Sequence, residues 1–352
     1  MVQEPTIQIQ QKTIGAGSPC FVIAEIGVNH NGCFDTAIKM IEEAAASQVD
    51  AVKFQTFKAS ELVTATADKA DYQTQATKTT ESQQEMLTKL EFSAEQFAKL
   101  KEHSEKCGLI FLSTPFDYSS VDILDDLGIA AYKVPSGEVP NTPFLSYIAK
   151  KEKPIILSTG MSTLAEVEEA FRSVTSVGNN DLVILHCVSC YPTDPSDANL
   201  RAMQTIKTAF NTIVGFSDHT LGLEISFAAV ALGASVLEKH FTLSREMEGP
   251  DHAASLEPGE LRELIKGIRN IEAALGDGVK VPVEAEKNTA DVARKSIVAM
   301  CDITEGTVIT DSLLSIKRPG TGLSPKMLEQ VIGRTANCDI QKDALVNFKM
   351  LR

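Results

Sequence analysis

No apolar run in this chain approaches the roughly 20 residues that a membrane-spanning helix needs. The N-terminus, MVQEPTIQIQQKTIG, also lacks the basic n-region and apolar h-region of a secretory leader. Neither insertion nor secretion is signalled, so the expected location is the cytoplasm. Basic charge is scarce too: 33 Lys and Arg stand against 47 Asp and Glu, a formal net charge of −14. Nucleic-acid backbones and anionic membrane surfaces are bound by clustered excess Lys and Arg, so neither is expected as a partner. The seven cysteines are odd in number and scattered, which fits reduced thiols rather than a disulfide framework. Tryptophan is absent and aromatics make up only 6%, yet 43% apolar and 23% charged residues are ordinary for a globular protein. A length of 352 residues allows one large core plus a smaller domain.

What is present is an alternation. Eight short β-rich runs occur in order: FVIAEI (21–26), DAVKF (50–54), LIFLS (109–113), AAYKV (130–134), PIILS (154–158), LVILHC (182–187), TIVGF (212–216) and SVLEKH (235–240). Most are almost continuously apolar, as strands covered on both faces must be. Between them, stretches such as FDTAIKMIEEAAASQ and TLAEVEEAFRSVTSVG carry apolar residues at helical spacing. This pattern predicts a (β/α)8 barrel. A doubly wound open sheet gives the same alternation, but polar residues follow nearly every run here, and a closed barrel gathers them at one mouth. From about Arg294 the pattern changes to short β-like pieces and turns, which predicts a small β-rich second domain over 294–352, a linker over 277–293 and a barrel over 1–276. The polar stretch ATADKADYQTQATKTTESQQ lies in an insertion between the second and third runs. Insertions of this length are lids, oligomer contacts or mobile segments.

The residues at the run ends carry the chemistry. His219 and His240 close two consecutive runs, beside Asp218 and Glu238. They read either as a hydrogen-bonded pair or as ligands of a loosely held divalent ion whose octahedron is completed by water and substrate oxygens; neighbouring carboxylates would orient the rings. Lys53 and Lys133 sit near the ends of apolar strands, where an ammonium is costly without an anionic partner. They read either as lysines paired with Glu25 or Glu138, or, with the hydroxyls of Thr114, Ser136, Ser158 and Ser189, as a cradle for phosphate and carboxylate. His252 is expected at the mouth as a substrate contact. CVSC (187–190) lacks the context of a redox pair and reads as packing, and GTGLSPKM is not a phosphate loop.

Taken in order, AEIGVNHNG, VKFQTF, FLSTPFD, KVPSGE, ILSTGMST, LHCVSCYPT, GFSDHTLG, EKHFTL, GPDHAASLEP and KRPGTG resemble the sialic acid synthase family from about residue 20 to the end. The resemblance implies a TIM barrel followed by an antifreeze-like (SAF) domain. The implied reaction joins phosphoenolpyruvate to an N-acylated hexosamine to give a nine-carbon 2-keto-3-deoxy acid and phosphate. N-acetylmannosamine giving N-acetylneuraminate is the first expectation. A 2,4-diacetamido-2,4,6-trideoxy-mannose giving N,N'-diacetyllegionaminate, or a pseudaminate-type product, is the alternative. A divalent cofactor, Mn2+ or Mg2+, on His219 and His240 is likewise implied. So are phosphoenolpyruvate contacts from Lys53, Gln55, Thr114, Lys133, Ser136, Ser158 and Ser189, and a catalytic Glu25. Tyr191, Glu238, Asp251 and Arg318 match sugar-side positions, Arg318 reaching the partner chain of a domain-swapped homodimer. Two positions depart from the family pattern: Ser189 stands where some members have Asn, and Val292 where some have an aromatic. A non-catalytic sugar-binding scaffold is the rival from another class; the buried charges converging on one mouth weigh against it.

Overall fold

The computed structural model describes residues 5–70, 74 and 81–352. The chain divides into two compact units, Met1–Gly276 and Asp277–Arg352. In the first, a hairpin of β1 (Thr6–Ile9) and β2 (Lys12–Gly15) precedes eight parallel strands: β3 (Phe21–Gly27), β4 (Ala51–Thr56), β5 (Ile110–Pro115), β6 (Tyr132–Val134), β7 (Ile155–Ser158), β8 (Leu182–Cys187), β9 (Ile213–Asp218) and β10 (Val236–His240). They close as a barrel in chain order, β10 pairing with β3. The expected (β/α)8 barrel is therefore found, each strand matching one of the apolar runs.

Period-two geometry sorts every strand residue. Outward residues such as Val22, Val52, Phe111, Tyr132, Leu157, Ile184, Phe216 and Leu237 pack under the helices as one continuous core. Inward residues Ile23, Ala51, Leu112, Ala131, Ile156, Leu185 and Val236 fill the lower barrel. The hairpin adds Ile7, Ile9 and Ile14 to this inner core, so it plugs the N-terminal end. The helices begin where the chain supplies caps. Ser93 with Gln96 and Thr163 with Glu166 form reciprocal capping boxes at the starts of Ala94–Lys106 and Leu164–Thr175.

The second unit has its own core, built on Ile297, Ala299, Ile303, Ile309, Val331, Ile340 and Val346. Its antiparallel pair is β11 (Ser296–Ala299) with β12 (Leu314–Lys317), extended by isolated bridges such as Ile303 to Ile340 and Ala336 to Leu351. Segment 277–293, read from sequence as a linker, contains the helix Lys287–Ala293.

Candidate active site

Above the apolar layer of the barrel the same inward positions turn polar: Glu25 on β3, Lys53 and Gln55 on β4, Thr114 on β5, Lys133 on β6, Ser158 on β7, and Glu238 and His240 on β10. They floor a cavity of about 500 Å3, a size suited to small ligands. At the end of β3 a register shift between Glu25 and Gly27 bends the strand, and Gly27 takes φ +55°. A Cβ there would lie 3.0 Å from Glu25 Oε1 and 3.2 Å from Gln55 Nε2, so glycine keeps the space those two side chains occupy.

Four buried charges meet on this floor. Lys53 Nζ lies 3.0 Å from Glu25 Oε1 and 3.7 Å from Glu238 Oε2, and donates to Thr114 Oγ1 at 3.1 Å. Lys133 Nζ lies 3.4 Å from Glu238 Oε1 and donates to Ser158 Oγ at 2.8 Å. Burial pushes the Glu25 carboxyl up to about 7 against the opposing pull of Lys53. Burial works the same way on Glu238, but Lys133 and Lys53 outweigh it and hold that carboxyl below the usual range. Burial lowers the Lys133 ammonium. On Lys53 burial pulls the same way, yet Glu238 and Glu25 raise it overall. One oxygen on each glutamate, Oε2, has no hydrogen-bond partner. The floor thus holds one carboxylate fixed in its charged form and one poised near neutrality.

The loops complete the mouth. Ser136 Oγ accepts the Gly160 N–H at 2.8 Å and lies 3.2 Å from Cys187 Sγ. A Cβ on Gly160 would stand 2.3 Å from Ser189 Oγ, so only glycine lets Ser136, Cys187 and Ser189 converge. The Tyr191 ring lies 4.2 Å from that of His219 and 5.6 Å from that of His240. Asp251, buried at the rim, has its carboxyl raised to about 6 by burial.

His219 and His240 suit a metal in their chemistry. Their ring centroids are 5.5 Å apart. His219 Nδ1 donates to Val188 O at 2.6 Å, which leaves Nε2 as the nitrogen with a lone pair. His240 Nδ1 is buried without a partner. Burial lowers both imidazoles, so both are neutral, the form that ligates. Among the described residues no group of three or more His, Cys, Asp or Glu clusters as a metal site; an ion here would take its remaining ligands from water or substrate.

Of the site residues that the family resemblance implied, all but Arg318 line this one cavity. Arg318 belongs to the second unit, where its Nε donates to Ala293 O at 3.1 Å. Several expectations are corrected. Neither Asp218 nor Glu238 bonds an imidazole directly: Asp218 faces out of the barrel and bonds Thr220, Ser226 and Lys239, while Glu238 accepts at 3.0 Å from Ser217, whose Oγ lies 3.4 Å from His219 Nε2. Lys53 pairs with Glu25, but Glu138 takes no part in pairing Lys133. His252 is a buried brace, bonded to Thr242 Oγ1 at 2.7 Å and Asn31 Oδ1 at 3.3 Å, and does not line the cavity. His30, just past the end of β3 within AEIGVNHNG, does not line the cavity and stacks on Phe92 at 4.2 Å between ring centroids.

Sequence reasoning missed Ser217 and Cys187 as cavity residues, although Ser217 lies two positions before His219 and Cys187 two positions after the inward-facing Leu185 on β8. It also missed an apolar wall. Val28, Phe57, Met86, Leu87 and Leu90 form a separate cluster against Leu62, Val63 and Phe116, and all of these line the cavity. The wall uses both ends of the insertion between β4 and β5; residues 71–73 and 75–80 of its polar stretch lie outside the described residues.

A closed β/α barrel with buried lysines, carboxylates and paired imidazoles at its C-terminal mouth has the layout of a barrel enzyme. More particularly, the chain belongs to the NeuB family, which matches residues 40–280, and residues 294–352 match the SAF domain. The resemblance to sialic acid synthases is thereby borne out. An N,N'-diacetyllegionaminic acid synthase of Campylobacter jejuni is 48% identical over 327 residues, 92% of this chain and 98% of its own. The protein of that name from Legionella pneumophila is 44% identical over 326 residues, 92% of each chain. Among solved structures, the N-acetylneuraminic acid (sialic acid) synthetase of Leptospira borgpetersenii in complex with citrate is 34% identical, with a TM-score of 0.72 over 81% of this chain and 95% of that one. No described helix is long and apolar enough to cross a membrane.

Proposed function

We propose that this chain condenses phosphoenolpyruvate with an open-chain N-acylated mannosamine-type sugar and water, releasing a nine-carbon 2-keto-3-deoxy acid and phosphate. The observation that carries this reading is the buried set Glu25, Lys53, Lys133 and Glu238 beneath the neutral pair His219 and His240. Lys53 and Lys133, with the hydroxyls of Thr114, Ser136, Ser158 and Ser189 and the amide of Gln55, hold the phosphate and carboxylate of phosphoenolpyruvate. A divalent ion on His219 and His240, Mn2+ or Mg2+, would supply Lewis-acid polarisation of the sugar aldehyde.

C3 of phosphoenolpyruvate attacks the aldehyde carbon, a C–C bond forms, and the aldehyde oxygen takes up a proton as it becomes a hydroxyl. Positive charge develops at C2. Glu25 holds a water there and takes its proton as the oxygen bonds to C2, which its near-neutral carboxyl suits it to do. The tetrahedral intermediate then collapses: the bond from C2 to the phosphate oxygen breaks, the C2 hydroxyl passes its proton to the leaving phosphate as the ketone forms, and the lysines stabilise the departing phosphate.

For the acceptor, the apolar wall favours a sugar with apolar substituents, namely two acetamido methyls and a C6 methyl. That is the 2,4-diacetamido-2,4,6-trideoxy-mannose reading, and the names of the Campylobacter and Legionella relatives support it. No arginine lines the cavity among the described residues, which disfavours a phosphorylated acceptor. Tyr191, Glu238 and Asp251 contact the sugar in this scheme. Arg318 serves the partner's site in a swapped homodimer: co-expression of Glu25→Gln with Arg318→Ala chains should restore turnover that each lacks alone.

The test is phosphate release from phosphoenolpyruvate with Mn2+ or with EDTA, against N-acetylmannosamine and the diacetamido sugar in parallel. Release with the diacetamido sugar, lost in EDTA, is expected. Release with N-acetylmannosamine only moves the product to N-acetylneuraminate, and release with neither overturns the reading.

A further inference from the structure

Lys239 and Asp218 occupy the costliest place in the barrel for charge. They are neighbours in register on β10 and β9 and point outward, between the barrel wall and its helices, with exposures of 1% each. Neither lines the cavity. Lys239 Nζ donates to Asp218 Oδ2 at 2.7 Å and to Thr220 O at 2.8 Å. Asp218 Oδ1 accepts from Thr220 N at 2.8 Å and Thr220 Oγ1 at 2.7 Å, and Ser226 Oγ donates to Oδ2. Every bond in the network therefore ends on residues 218 to 226 or on 239. His219 lies between Asp218 and Thr220, and His240 follows Lys239.

A buried ion pair replaced by well-packed apolar residues typically leaves a protein as stable or more so. Stability alone therefore gives no reason for an ammonium here; registration of neighbouring elements is the better-attested use of such a pair. Two backbone contacts carry the registration onward: Thr193 N donates to His219 O at 2.9 Å and Leu256 N to His240 O at 2.8 Å. With only two imidazoles available, the separation of the two strand ends decides whether both reach one ion.

We propose that the Lys239–Asp218 pair is a positioning device, locking the ends of β9 and β10 from behind so that His219 and His240 present their ring nitrogens at the spacing a single divalent ion requires. The inference rests on the proposed metal role of the two histidines. Neither Lys239 nor Asp218 touches substrate or ion.

The test uses the full chain free of substrate. The double variant Lys239→Met/Asp218→Asn removes the charged tie between the strands and keeps an acceptor for the Thr220 N–H. Mn2+ affinity is read from the spectrum of free Mn2+ by electron paramagnetic resonance, phosphoenolpyruvate affinity by calorimetry, and folding by circular dichroism. The expected result is a folded protein whose Mn2+ dissociation constant rises about tenfold or more, the usual effect of losing support behind a ligand. Phosphoenolpyruvate affinity should stay within about twofold, since its cradle lies on β4 to β8 and their loops. Unchanged Mn2+ affinity overturns the proposal, as does a parallel loss of both ligands or a failure to fold, because the pair would then be structural. Wild-type protein that binds no Mn2+ overturns the metal reading and this inference together, whereas wild-type binding with an indifferent double variant overturns this inference alone.

Discussion

Lys53, Lys133, Glu25 and Glu238 lie buried together, and the cost of taking each from water is offset by the others rather than by solvent. The asymmetry inside the group sets the chemistry. Glu238 faces both lysines and stays ionised, whereas Glu25, drawn mainly to Lys53, sits with its carboxyl raised to about 7. A base must be deprotonated to take a proton from water, so kcat/KM should rise with pH through about 7 and level off above it. Glu25→Gln should remove that limb and lower kcat by about 100-fold or more. A pH–rate profile of both proteins checks this, and an unchanged limb in the variant assigns the titration to another group. Legibility at this scale was uneven. The inward position of Lys53, Lys133 and His240 follows from strand alternation alone, but the partners of Asp218 do not, because Lys239 meets it only once β9 and β10 lie side by side and Ser226 only once the helix after β9 packs on the barrel.

Among elements, the N-terminal hairpin and the insertion between β4 and β5 carry the findings that strand counting did not reach. TIQI on β1 alternates exposed and buried, and its isoleucines close the bottom of the barrel. Ile14→Ala should destabilise the barrel by about 2–5 kcal/mol, the usual cost of truncating a fully buried isoleucine. Chemical denaturation measures it, with activity in the absence of denaturant retained because the site is at the other end. The insertion was legible as an oddity of length, but not as a wall, since Met86 and Leu90 meet Val28 and Phe57 only across the barrel rim. Met86→Gln should raise the acceptor KM about tenfold, the scale of one lost apolar contact surface, while the KM for phosphoenolpyruvate stays constant. Steady-state kinetics with each substrate varied separates the two, and an equal rise in both would place Met86 outside the acceptor subsite.

For the molecule as a whole, a net charge of −14 surrounds a mouth whose floor carries two lysines. An acidic protein that binds an anionic substrate must keep its positive field local, which burial beside low-dielectric walls achieves. The folded state alone brings His219 and His240 together, so an ion bound there stabilises the native state by mass action. Mn2+ at about 100 times its dissociation constant should add about 2.7 kcal/mol. Melting should rise with Mn2+, fall back with EDTA and stay flat for His219→Ala. A His219→Ala protein that responds like the wild type would move the ion elsewhere.

The sequence by itself determined the eight β/α units and the polar set at the ends of the runs, because apolar runs and helical spacing are local properties that each segment carries within itself. Only the tertiary structure decided which charges pair, that His252 and His30 are braces rather than contacts, that the insertion walls the cavity, and that Lys239 stands behind the two histidines. Those outcomes depend on residues such as Asn31 and His252, 221 positions apart, meeting in space. No local pattern encodes that meeting, because the free energy that selects it is shared among the packed elements of the closed barrel.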